Sequence, residues 1–60
     1  MDSDITVVRG EDTTMYILSK HGEDVATLTL SHSLNGLVTV GVGTLQEVSS
    51  LLQKAISDQQ

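Results

Sequence analysis

Three short connectors decide most of what this chain can become. Between runs rich in valine, isoleucine and threonine lie "GED", "KHGED" and "LNG", whereas two parallel strands need a crossover of a dozen or more residues. Segments joined this tightly must run antiparallel to their neighbours. The runs themselves, at about 5–9, 13–19, 25–32 and 37–42, carry the β-branched residues that suit a pleated, half-buried surface. The connectors and runs together predict a four-stranded antiparallel meander.

The segment that follows, "TLQEVSSLLQKAISDQQ", changes period. Leu45, Val48, Leu51, Leu52, Ala55 and Ile56 recur at helical spacing and form one stripe. Thr44 followed three residues later by Glu47 fits a capping box with Thr44 as N-cap. A helix is predicted over about 45–57, apolar on one side, with 58–60 frayed. The fold class is therefore α+β, four strands then a C-terminal amphipathic helix packed on one face of the sheet, as a single domain over 1–60.

Register is the harder question. An Asn-Gly pair between apolar runs normally signals a two-residue turn, but a turn made only of Asn35 and Gly36 would set Leu30 and Leu28 against Gly41 and Gly43. A three-residue loop of Leu34, Asn35 and Gly36, with Gly36 left-handed as a bulge, instead sets Leu30 against Val40, Leu28 against Val42 and His32 against Val38. Burial favours that choice, because a slip of one residue turns every side chain to the other face. A "GED" loop likewise pairs Ile5 with Ile17 and Val7 with Met15, and a turn around Gly22 and Glu23 brings Ile17 to Leu28. The helix-facing set predicted in this way is Ile5, Val7, Met15, Ile17, Ala26, Leu28, Leu30, Val38, Val40 and Val42.

The opposite face then carries Thr6, Val8, Thr14, Tyr16, Leu18, Val25, Thr27, Thr29, Ser31, Thr39 and Gly41, none of them charged. From 25 to 46 the chain has no Asp, Glu, Lys or Arg. Half-solvated sheets usually alternate apolar with polar residues, and edge strands are usually guarded by charge or proline. The missing guards point to an interaction surface, the alternative being a solvated face of threonine and serine with scattered apolar residues. The expected members of the interaction surface are Val8, Tyr16, Leu18, Val25, Thr27, Thr29, Thr39 and Gly41.

Size points the same way. A chain of 60 residues buries only about 60% of the surface its unfolded form exposes, and domains this small usually add disulfides, a metal or a second subunit. There is no cysteine, and His21 and His32 stand apart without ligand-type neighbours, so no cofactor or metal is expected and self-association is. The acidic start "MDSDITVV" lacks a basic segment and a long apolar run, which reads as neither signal peptide nor membrane span. With its initiator-like Met1, it suggests a complete cytoplasmic product. A net charge of −5 disfavours nucleic acid and anionic membranes as partners.

Catalytic constellations are not found. In "SHS" the alternation of a strand points Ser31 and Ser33 away from His32, which reads as a rim residue closing the core near the turn. Glu11/Asp12 and Glu23/Asp24 read as solvated turn residues. "VGVGT" lacks the lysine, the third glycine and the βαβ setting of phosphate-binding loops; Gly43 there reads as the hinge from strand to helix, and Gly41 as a point of close approach.

Four antiparallel strands followed by a helix resemble, in element order, the single-stranded-DNA-binding fold of the Whirly type. The resemblance implies this topology and assembly as dimers. It does not extend to the basic groove and stacking aromatics such binders use, since the chain has three basic residues and one aromatic, Tyr16. The expectation is thus a non-enzymatic, homodimeric protein-interaction module, regulatory or inhibitory and of a size that suits phage or mobile elements, that binds a partner protein. A nucleic-acid-associated protein is the alternative.

Overall fold

A computed structural model describes residues 3–59. Four strands, β1 (Ser3–Arg9), β2 (Thr13–Lys20), β3 (Glu23–Ser33) and β4 (Gly36–Val42), precede a helix, α1 (Leu45–Asp58). The sheet is an antiparallel meander in the order β1-β2-β3-β4, and α1 packs over the two central strands, β2 and β3. The expected fold class is therefore the observed one.

The helix begins where its cap dictates. The Glu47 N–H donates to Thr44 Oγ1 at 3.2 Å and the Thr44 N–H donates to Glu47 Oε1 at 3.1 Å, so two backbone donors with no partner inside the helix are satisfied reciprocally. Lys20 reaches the same carboxylate, with Nζ 3.6 Å from Oε2. The other end departs from expectation. Asp58 lies within the last helical turn, held by the Tyr16 hydroxyl, which donates to its Oδ2 at 3.0 Å, and by Lys54 at 3.3 Å. Gln59 caps the helix, so the helix runs one residue past the expected end at 57; Gln60 lies outside the described residues.

The registers differ from those predicted, each by about one residue. In the first hairpin Val7 pairs with Tyr16 and Ile5 with Leu18, because the connection takes in Gly10 to Thr13, closed by a 2.7 Å bond from the Gly10 N–H to the Thr13 carbonyl. In the second, His21 and Gly22 form a two-residue turn with φ of 53° and 80°, the positive pair that marks a type I′ hairpin. Ile17 consequently meets Thr27, not Leu28, and a bulge falls between Leu18 and Ser19. In the third, Gly36 has the expected positive φ of 128° but pairs with Ser33 as a strand residue. Leu34 and Asn35 are the whole turn, which sets Leu30 against Thr39 and Leu28 against Gly41.

Two of the four strands therefore turn over. The core consists of Tyr16, Leu18, Ala26, Leu28 and Leu30 from the sheet and Leu51 and Ala55 from the helix, with Val7, Val25 and Val48 packed around it. Strands β1 and β3 present the expected sides. Strand β2 buries Tyr16 and Leu18 where Met15 and Ile17 were expected, and β4 points Leu37, Thr39 and Gly41 to the helix side and its valines away.

Steric fit explains the β4 reversal. A Cβ on Gly41 would stand 2.6 Å from Val48 Cγ1, and one on Gly43 would stand 2.7 Å from the Ala26 Cβ. Valine in the place of Gly41 would hold the helix off the sheet. Gly43 also has a φ of 134°, which an L side chain resists, so it serves both as the bend into α1 and as the gap beside Ala26.

Candidate interaction surface

The helix-free face is more apolar than the alternation indicated. Val8 from β1, Met15 and Ile17 from β2 and Val38, Val40 and Val42 from β4 share it with Thr6, Thr27, Thr29 and Ser31, as the registers require. Val8, Val38, Val40 and Val42 each keep more than half of their surface exposed. Charge on this side is confined to the end where Asp4 pairs with Ser19 and Ser19 with Asp24, and there the Ser19 hydroxyl donates to Asp24 Oδ1 at 2.7 Å.

Of the residues expected here, Val8, Thr27 and Thr29 are in place. Tyr16 and Leu18 are corrected to the core: Tyr16 is 1% exposed and Leu18 7%, both beneath the helix. Thr39 and Gly41 are on the helix side of β4, and Val25 packs against the core beside the bulge. Sequence reasoning missed Met15, Ile17 and the three valines. "MYIL" in β2 is apolar at four consecutive positions and carries no parity signal, while the valines of β4 read as core because burial alone was weighed. The signal that could have exposed the error was Gly41 itself, a gap at the position where Val48 of the helix needs room.

Apart from the approach of Val48 to Gly41, strand β4 is little covered on either side. All seven of its residues are exposed, and on the helix side a groove of about 120 Å³ runs between it and α1, lined by Leu30, Leu37, Thr39, Leu52, Ala55 and Ile56. The outer half of the predicted helical stripe borders this groove, with Leu52 41% and Ile56 51% exposed. Leu34 at the turn is fully exposed.

A second, more polar cleft of about 510 Å³ lies between β1 and the start of α1, among Ser3, Asp4, Ile5, Lys20, Thr44 and Glu47. Several of its polar groups bond one another. Thr44 and Glu47 form the cap, Lys20 pairs with Glu47, and the Ser50 hydroxyl donates to the Gln46 carbonyl at 3.1 Å. Hydrogen bonding from Thr44, its backbone N–H foremost, and the nearby Lys20 charge hold the Glu47 carboxyl below its ordinary range, which suits a cap and not a proton carrier at neutral pH. Ser31 and His32 pair with Val38 and Leu37 on opposite faces, and His32 is exposed, closing no core. Among the described residues no cluster of His, Asp and Glu has the arrangement of a metal site.

Positive charge is sparse on the molecule and mostly paired. Of the three cations Arg9, Lys20 and Lys54, both lysines are in ion pairs with carboxylates, and the one aromatic is buried in the core. Among the described residues no helix is long and apolar enough to cross a membrane. Comparisons of the chain with protein-family models, with curated proteins and with solved structures found no match.

Proposed function

We propose that this protein is a non-enzymatic interaction module, cytoplasmic and homodimeric, which regulates or inhibits a partner protein by binding it through the helix-free face of its sheet. The observation that carries this reading is the contiguity of Val38, Val40 and Val42 with Thr27, Thr29, Met15, Ile17 and Val8 on a side that keeps its charges at one end. Apolar patches of this kind mark interaction sites on small soluble domains. The small core supports self-association as well, since seven buried residues among the described residues are little to offset the chain entropy of a 60-residue domain. An origin in a phage or mobile element belongs to the same proposal and rests on size alone.

Thr29 stands near the middle of the face, half-buried among its neighbours. A lysine there places a charge in the binding patch while leaving the helix side intact. Parent and Thr29→Lys protein, both shown folded by circular dichroism, are used to capture partners from the native cell, and the captured proteins are identified by mass spectrometry. The expected result is a partner retained by the parent and lost by the variant. Equal capture by both would remove this face from the function.

A further inference from the structure

The two edges of the sheet are not alike. Among the described residues β1 carries Asp4 and Arg9 along its edge, the charged guards that ordinarily keep sheets from joining, whereas β4, "GLVTVGV", has neither charge nor proline. An outer strand has one alternating set of backbone N–H and C=O groups pointing away from its neighbour, a template for a further strand. On β4 that template is flanked by exposed side chains above and below.

The sequence of β4 also matches itself. Thr39 is the middle of the seven residues Gly36–Val42, so antiparallel pairing of two copies about a two-fold axis at Thr39 sets Thr39 against Thr39, Val38 against Val40 of the second copy and Leu37 against Gly41 of the second copy. Isologous contacts require this self-complementarity. Here it brings β-branched side chains together on the outer face, a favourable cross-strand pair, and a large residue opposite a small one on the helix side. Charge selects the same occupant. Each chain carries −5, but the segment 25–46 holds none of it, so two copies meet at β4 without opposing like charges, while a charged partner finds nothing there to complement.

We infer that β4 is the seam of a homodimer, in which the free edges of two copies pair antiparallel, centred on Thr39, and join two four-stranded sheets into one of eight strands. The seam rests on the reading of the protein as an interaction module and specifies its self-association. It leaves the outer face open and doubles its length, so each dimer presents one continuous apolar face to a partner. A single strand seam falls at the small end of specific interfaces, below about 1,200 Å² in total, and the expected dimer is accordingly one that dissociates on dilution.

The chain has no cysteine, so single-cysteine variants report the geometry directly. Directly opposed residues of an antiparallel pair have Cα atoms about 4.5–5.5 Å apart, within the range a disulfide spans. Thr39→Cys treated with oxidised glutathione should form a covalent dimer at least tenfold faster than Thr29→Cys on the outer face. In sedimentation velocity the parent should dimerise with rising concentration, Thr39→Lys and Thr39→Glu should each stay monomeric, and an equal mixture of the two should associate again. Circular dichroism confirms that the charged variants remain folded, and the Thr39→Cys result stands alone if one does not. Faster cross-linking through Thr29→Cys would overturn the seam in favour of stacked outer faces and leave the binding face intact. A parent monomeric at all concentrations would also overturn the seam, while capture through Thr29 would still decide whether the face binds another protein.

Discussion

Replacing Gly41 by alanine turns the register of β4 into a measurable sign. The added Cβ would lie 2.6 Å from Val48 Cγ1, 3.4 Å from Cγ2 and 3.6 Å from Val48 Cβ, and valine in a helix is stiff about χ1, so rotation cannot clear the contact. Overpacking of this kind costs about 1–3 kcal/mol. Gly41 is not among the residues with positive φ, so alanine meets no backbone strain and gains about 0.4–1 kcal/mol from a less disordered unfolded chain. The net expectation is a destabilisation of roughly 0.5–2 kcal/mol. With a urea dependence of about 1 kcal/mol/M for so small a domain, the midpoint should fall by roughly 0.5–2 M. Val48→Ala alone should also destabilise, but the double variant should recover, since the alanine methyl enters the space the valine leaves. Such a coupling between touching residues is about 0.5–3 kcal/mol. If Gly41 faced away from the helix, the substitution would meet open solvent and stabilise the fold. A rise in the midpoint, or strict additivity of the two changes, would refute the close approach of α1 to β4.

Removal of the N-cap by Thr44→Ala should cost about 0.5–2 kcal/mol, read as a lower denaturation midpoint, while Glu47→Gln should retain more of the helix than Glu47→Ala because the amide oxygen can still accept the Thr44 N–H. Leu51→Ala empties the centre of the core and should cost about 2–5 kcal/mol, comparable with the whole stability of about 3–9 kcal/mol expected for a chain of this length, so the variant should be largely unfolded by circular dichroism. Glu47 and Asp58 are both held below the ordinary carboxylate range, Asp58 first by the Tyr16 hydroxyl and then by Lys54; their stabilisation is present above the unfolded value near pH 4 and should be lost as pH falls through the folded values. Tyr16→Phe should weaken that acid response. The Tyr16 hydroxyl is shifted the other way, raised by burial and by Asp58, so the neutral form is favoured on folding and stability should fall as pH climbs past about 10. Fluorescence anisotropy with single- and double-stranded DNA should show no binding at about 150 mM salt, a roughly physiological ionic strength, and micromolar affinity there would restore the nucleic-acid alternative.

How much of this was legible in the chain differs from strand to strand for physical reasons. The helix was readable in both its start and its stripe because Thr44, Glu47 and the apolar spacing all agree, and local agreement of this sort fixes local structure. Strand β3 was readable because Ala26, Leu28 and Leu30 alternate with threonine. In β2, four apolar neighbours left the buried side to be chosen by tertiary packing, and the choice fell on Tyr16, whose hydroxyl reaches Asp58 across 42 residues of chain. No local pattern encodes that bond. The β4 error had a different source: burial of valines was assumed to outweigh everything else, yet the helix needed the small side of the strand. The helix-free face kept Val8, Thr27 and Thr29 through these changes because β1 and β3 did not turn over, and it gained the valines because β4 did.

The placement of α1 over the central strands has a consequence for how the protein comes into being. All four strands precede the helix in the chain, and hairpins form in about 1–10 μs, so strands joined by short turns can pair before α1 docks on them. Without the helix the meander would expose Tyr16, Leu18, Leu28 and Leu30 on one side and Met15, Ile17 and the β4 valines on the other, apolar in both directions along β2 and β4, with the alternation of β3 left to distinguish its faces. Arrival of the helix is what gives the sheet an inside. A fragment ending at Gly43 should accordingly aggregate, because the element that separates the two sides of β2 and β4 is missing from it.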